Sequence, residues 1–215
     1  MAKTSATGQI VILNGAPRSG KSSIVEVIQE TFDGPWMNLG VDVHARHMTP
    51  QRYRPGIGLR PGGERPDLEP FVAAFYAALY ESVAAHSRLG LNVVVDVGHH
   101  EAYARRRSIL IDCTRRLIGL PVLIVGVRCP IEVIMERRRV VQAGREGHYV
   151  TGSRDEPIPE PVSAWQREVH IPGIYDLEVD TAVMSPQECA ETIRRRLAEG
   201  LENATAIQRI ASASG

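Results

Sequence analysis

Residues Gly15-Ala16-Pro17-Arg18-Ser19-Gly20-Lys21-Ser22 match the spacing G-x-x-x-x-G-K-[ST] at every fixed position. That spacing suits the cradling of a polyphosphate. Glycines let the backbone curl until successive N–H groups point at phosphate oxygens. The helix expected to follow adds the positive end of its dipole. Lys21 can reach the β- and γ-phosphates as a point charge, and the Ser22 hydroxyl can serve as a Mg2+ ligand. With Ser23, the octet is the expected binding site for Mg·ATP. A chance match is the alternative, but the octet follows an apolar run and opens a helical pattern, which is the context the chemistry needs. No N-K-x-D sequence for reading guanine occurs, so ATP rather than GTP is expected.

Two carboxylates close apolar runs. Asp96 follows Val93-Val94-Val95, as a Walker-B Mg2+ site requires, with a turn cap as the bland alternative. Val97 follows it, where many ATP hydrolases place a water-activating Glu, and this tilts the chain from a motor ATPase towards a kinase. Asp42 closes Leu39-Gly40-Val41-Asp42. A carboxylate there could take the proton of an acceptor hydroxyl as it attacks the γ-phosphate. It could equally cap a turn.

Arginines form the third group. Arg137-Arg138-Arg139 and Arg145 precede an irregular stretch, where small-molecule kinases close a lid whose arginines neutralise the transferring phosphoryl group. The alternative is a solvated helix face. Three consecutive residues cannot share one face, so at least one of them is expected in solvent. Arg46, Arg52, Arg54, Arg60 and Arg65 lie in a second irregular segment and either dress a solvated loop or greet an anionic acceptor. Arg128 and Thr181 stand where strands end and are candidates for the nucleotide-base region. His99 and His100 are adjacent, lack a third ligand at useful spacing, and are read as part of an ordinary loop rather than a metal site.

These residues need a scaffold that brings strand ends together. Apolar, β-branched runs predict strands at 9–14, 36–41, 92–97, 122–127 and 175–179. Helical spacing predicts helices at 23–31, 71–89, 101–118, 131–142 and 162–169, and a last one to about residue 199 with Ser185 as N-cap and Pro186 in its first turn. Strand and helix alternate, which argues for a single α/β domain, a parallel sheet with helices on both faces and ligands at the carboxyl ends of the strands. The domain divides into a core (9–199), an acceptor-site segment (44–70), a lid (about 137–161) and a small polar tail (200–215) expected to be frayed or dispensable.

Composition narrows the class. The 215 residues carry 25 Lys+Arg and 25 Asp+Glu, and this neutral balance argues against a nucleic-acid partner. No apolar run approaches the roughly 20 residues that span a bilayer, so no membrane partner is expected. The start, Met1 to Gly8, has no apolar core and does not resemble a signal peptide. Cys113, Cys129 and Cys189 have no metal spacing and suit a reducing compartment, so the cytoplasm is expected.

Taken together, the chain resembles the chloramphenicol phosphotransferase-like kinases. The similar stretches are Ile12-Leu13-Asn14-Gly15 with the phosphate loop, Leu39-Gly40-Val41-Asp42, Val93-Val94-Val95-Asp96, Val125-Gly126-Val127-Arg128-Cys129 and Tyr175-Asp176-Leu177-Glu178-Val179-Asp180-Thr181. The resemblance implies a P-loop NTPase fold of the nucleotide/shikimate kinase type, three-layer α/β/α with a five-stranded parallel sheet. It also implies ATP-dependent phosphorylation of a small-molecule hydroxyl, with Asp42 as general base and Arg137 near a lid arginine. The chain departs from the family after β-strand three, where Val97-Gly98-His99-His100 follow Asp96, and throughout residues 44–70. A kinase of an anionic metabolite, such as a sugar acid or shikimate-like acid, and a non-catalytic nucleotide-binding regulator are the alternatives.

Overall fold

The computed structural model describes residues 7–62, 65–140 and 149–213. In chain order the strands are β1 (Ile10–Asn14), β2 (Trp36–Asn38), β3 (Asn92–Val97), β4 (Val122–Arg128) and β5 (Leu177–Asp180). The helices are α1 (Lys21–Thr31), α2 (Val41–Val43), α3 (Glu69–Arg88), α4 (Ile109–Arg115), α5 (Ile131–Arg139), α6 (Glu160–Glu168), α7 (Pro186–Ala198) and α8 (Ala206–Ala211). A π-helical turn (His44–Met48) continues α2. The strands form one five-stranded sheet in the order β2-β3-β1-β4-β5, and every pairing is parallel.

Alternation along the strands builds two cores. Ile10 and Ile12 of β1 face one way, with Val93, Val95, Val122 and Ile124, against α3, α4 and α8. Val11 and Leu13 face the other way, with Val94, Leu123 and Val125, against α1 and α7. Strands buried on both faces explain why their sequences are continuous apolar runs rather than alternating ones. The layers are those of a three-layer α/β/α P-loop fold. A third, smaller cluster joins Ala16 of the phosphate loop to Ile134 and Met135 of α5 and to Val162 and Trp165 of α6.

The predicted strands and helices all occur, with three corrections. The second strand stops at Asn38 instead of running to residue 41. A Cβ on Gly40 would lie 1.7 Å from Asp96 Oδ1, so the chain turns there against the carboxylate, and Asp42 sits in the helical turn α2 rather than at a strand end. The predicted helix 101–118 is helical only over Ile109–Arg115. The Glu101 carboxylate folds back to accept the N–H groups of Arg107, Ser108 and Ile109 at 2.8–3.0 Å, capping a helix that starts late. The tail is not frayed throughout. Ala206, Ile207 and Ile210 of α8 are buried in the core, and Asp176 Oδ1 accepts the Ala206 N–H at 2.9 Å. Their i, i+1, i+4 spacing is the sequence signal for that buried face. The start of α7 is as expected, with a reciprocal capping box between Ser185 and Glu188.

Candidate active site

The phosphate loop leaves β1 at Asn14 and enters α1 at Lys21, so the last residues of the octet already form the first helical turn. Gly20 has φ +94° and Arg18 φ +73°, the left-handed turns that aim the loop's backbone inward. A Cβ on Gly15 would meet the Val127 carbonyl oxygen at 2.5 Å, so only glycine fits between β1 and β4 there. Lys21 is buried, and its Nζ donates to the loop's own carbonyls, Gly15 at 2.7 Å and Ala16 at 2.9 Å. Burial pushes its pKa down to about 8, against the pull of Asp96 and Asp42.

Asp96 is buried at the end of β3 and accepts the Ser22 hydroxyl on Oδ2 at 3.1 Å. Burial raises its carboxyl above the ordinary range, Lys21 opposes this, and the Asp42 charge adds to the rise. Ser22 and Asp96 together offer hard oxygen donors at one point, a set suited to Mg2+. Asp42 approaches from α2 and pairs with Arg46 at 3.9 Å, both side chains being partly exposed.

These groups line one cavity of about 310 Å3. Its lining joins Gly15, Pro17, Arg18, Lys21 and Ser22 of the phosphate loop and the acids Asp42 and Asp96 to the apolar and aromatic side chains of Ile57, Tyr76, Val162 and Trp165. Asp42 and Asp96 are the only acidic residues lining it among the described residues. The other loop positions support the cradle from outside. Ala16 packs under α5 and α6, Gly20 backs onto Thr181, and Ser23 is exposed on α1. The Ser19 hydroxyl is buried with no hydrogen-bond partner among the described residues.

The arginines divide differently from their expected roles. Arg137 does not line the cavity; its guanidinium donates to Thr181 Oγ1 at 3.0 Å and to the Thr181 carbonyl at 2.6 Å. Thr181 Oγ1 in turn donates to the Ser19 carbonyl at 2.7 Å, so Arg137 and Thr181 brace the cradle from behind. Its neighbour Arg138 lines the cavity, is 7% exposed and shares the Tyr149 ring with Arg18, their guanidiniums 5.5 and 5.1 Å from the ring centroid. Burial lowers the Arg138 pKa to about 10; Tyr149 opposes this, and the charges of Arg60 and Arg18 add to the fall. Arg128 ends β4 and pairs with Glu178 of the edge strand β5 at 2.6 Å, and neither it nor Thr181 lines the cavity. Arg145 lies outside the described residues.

Of the five arginines in residues 44–70, Arg60 lines the cavity. Arg46 meets Asp42, Arg52 stacks on Tyr53, Arg54 donates to the Thr49 carbonyl at 3.0 Å, and Arg65 pairs with Asp67 at 2.8 Å. Tyr76 and Trp165 carried no sequence signal for the site, because each is an ordinary buried aromatic on an amphipathic helix.

The profile of the chloramphenicol phosphotransferase-like protein family matches residues 8–198. The chain belongs to that family. A relative in Mycobacterium tuberculosis, named "Putative O-phosphotransferase", is 25% identical over 199 residues, covering 86% of this chain and 80% of its own length. Among solved structures, the APS kinase of Mycobacterium tuberculosis in complex with AMPPNP and APS superposes with a TM-score of 0.56 at 16% identity, covering 89% of this chain and 98% of that one. A gluconokinase from Sinorhizobium meliloti superposes with a TM-score of 0.54 at 21% identity, covering 92% and 95%. At these identities the two structures establish a shared P-loop kinase fold. Membership of the chloramphenicol phosphotransferase-like family supports a phosphotransferase. Among the described residues no helix is long and apolar enough to cross a membrane.

Proposed function

We propose that this family member transfers the γ-phosphate of Mg·ATP to a hydroxyl group of a small molecule. One observation carries the proposal: Lys21, the Ser22–Asp96 pair and Asp42 converge on a single cavity that apolar and aromatic side chains also line. The donor set fits the nucleotide and the metal. Lys21 occupies loop carbonyls that a phosphate oxygen outbids, and Ser22 with Asp96 would hold Mg2+. Bound Mg2+ would neutralise charge on the phosphates. The protein's own part is then positional and electrostatic. The loop N–H groups and Lys21 fix the β- and γ-phosphates, and Arg18 and Arg138 add positive charge at the transferring group. Asp42 accepts the hydroxyl proton as the hydroxyl oxygen bonds to phosphorus and the bond to the ADP oxygen breaks. The residue after Asp96 is the fully buried Val97, which supplies no base for water, so transfer to an acceptor is favoured over hydrolysis.

Arg60 supports a second reading, in which the acceptor carries an anionic group, because it brings a cation to the cavity from the acceptor segment. ADP release from Mg·ATP with and without chloramphenicol, with Lys21→Ala as blank, separates the two. Chloramphenicol-dependent release with a phosphorylated product by mass establishes a neutral acceptor. No stimulation, with Mg·ATP still bound, discards that acceptor and turns the search to hydroxylated acids. Absence of Mg·ATP binding contradicts the proposal itself.

A further inference from the structure

The two histidines after β3 contact different side chains of the cavity lining, His99 reaching Tyr76 and His100 reaching Trp165. The His99 N–H donates to Asn14 Oδ1 at 3.0 Å, so the turn hangs from the residue just before the phosphate loop. Asn14 is buried and spends its amide hydrogens on the Val169 carbonyl at the end of α6, at 2.7 Å, and on the Tyr175 hydroxyl, at 2.9 Å. The His99 ring stacks on Tyr76 with centroids 4.5 Å apart and shares a 2.9 Å hydrogen bond with the Tyr80 hydroxyl. His100 Nε2 lies 2.9 Å from the Leu59 carbonyl oxygen, and since a carbonyl only accepts, Nε2 carries the proton. The His100 ring stands edge-on to Trp165 at 5.5 Å, and Trp165 Nε1 donates to the Gly98 carbonyl at 3.3 Å.

We infer that the Gly98–His100 turn is the positioning element of the acceptor wall: His99 sets Tyr76, and His100 sets both Trp165 and the Leu59–Arg60 step. The name "acceptor wall" rests on the proposed phosphotransferase. Three segments far apart in sequence supply that wall, and the turn is where hydrogen bonds and ring contacts from all three meet. Burial holds both imidazoles neutral, His99 with a pKa near 3 and His100 below the ordinary value, so the arrangement persists through neutral pH. Plain core packing would make these histidines matter to global stability alone. A positioning element makes them matter to the local placement of Trp165.

Trp36 and Trp165 are the two tryptophans of the chain, so Trp36→Phe leaves Trp165 as sole fluorescent reporter. In that background His100→Leu keeps apolar bulk but removes the hydrogen bond to Leu59, and His100→Gln restores an amide donor. Loss of that buried bond is expected to raise acrylamide quenching of Trp165 about threefold in His100→Leu, with return to within about 1.5-fold in His100→Gln. The Mg·ATP dissociation constant is expected to stay within about twofold in both, because the cradle is untouched. Unchanged quenching in His100→Leu, or no recovery in His100→Gln, overturns the inference. If His100→Leu does not fold, His100→Asn, whose amide is too short to reach Leu59, takes its place with the same expected rise. Loss of Mg·ATP affinity together with increased quenching would overturn the assignment to the acceptor side. Failure of the Trp36→Phe parent to bind Mg·ATP would sink the phosphotransferase proposal and leave the quenching result standing, so the two failures are distinguishable.

Discussion

The two parts of the cavity lining are built differently: one is a contiguous backbone loop, the other a set of side chains from separate segments. The loop from Gly15 to Ser22 presents N–H groups and one buried lysine from eight contiguous residues. The rest of the lining takes Ile57 and Arg60 from one segment, Tyr76 from α3, and Val162 and Trp165 from α6. The phosphate of every nucleotide has one shape, so a fixed backbone curl suffices for it. An acceptor has a shape of its own, and a wall of separate side chains can be refitted without disturbing the cradle. The arginines show the same division. Arg137 and Thr181 brace the loop, while Arg138 and Arg60 enter the cavity.

That division gives predictions of decreasing size. Arg138→Gln removes a desolvated cation from the cavity, and acceptor-dependent ADP formation should fall by about 100-fold at unchanged melting temperature. Arg137→Gln should instead lower stability by about 1–3 kcal/mol, since it leaves the Thr181 groups without their charged donor, as thermal denaturation would show. Equal loss of kcat from both variants with no stability change in either would erase the distinction.

Lys21 yields an oppositely signed effect on stability. Its folded pKa of about 8 lies below the ordinary 10.5, so between these values the unfolded chain holds a proton that the folded one has released. Stability of the nucleotide-free protein should therefore rise with pH across that window. Below pH 8 the full cost of the buried charge is present. Lys21→Met should then stabilise the nucleotide-free protein at pH 7 by on the order of 2 kcal/mol while abolishing ADP formation. A destabilised Lys21→Met would mean that its bonds to Gly15 and Ala16 outweigh its desolvation. Smallest of all, Arg128→Gln should change ADP formation less than about twofold, because a partly exposed pair with Glu178 contributes little.

The sheet, its strand count and the cradle were legible in the sequence because each is local: a β-branched run, a glycine spacing, a capping box. Asp96 was legible for the same reason, as the acid that closes an apolar strand. Asp42 lines the cavity from a helical turn and not from the strand end that the sequence suggests, because the contact that bends the chain is between Gly40 and Asp96, 56 residues apart in sequence, where a Cβ on Gly40 would come within 1.7 Å of the carboxylate. The choice of Arg138 over Arg137 depends on the rotation of α5 against the loop, which no local pattern encodes. Tyr76, Trp165 and the roles of His99 and His100 are tertiary facts of the same kind. The tail was misjudged because its polar composition masked Ala206, Ile207 and Ile210, whose burial implies that Ile207→Ala costs about 2–4 kcal/mol.

The most direct test of phosphoryl transfer from this cavity pairs a calorimetric titration of Mg·ATP with acceptor-dependent ADP formation, in wild-type and Asp42→Asn protein. A phosphotransferase with Asp42 as its base predicts Mg·ATP affinity within about twofold and turnover lower by about 100- to 1,000-fold. Equal turnover in the two proteins, or no affinity for Mg·ATP in either, would contradict it.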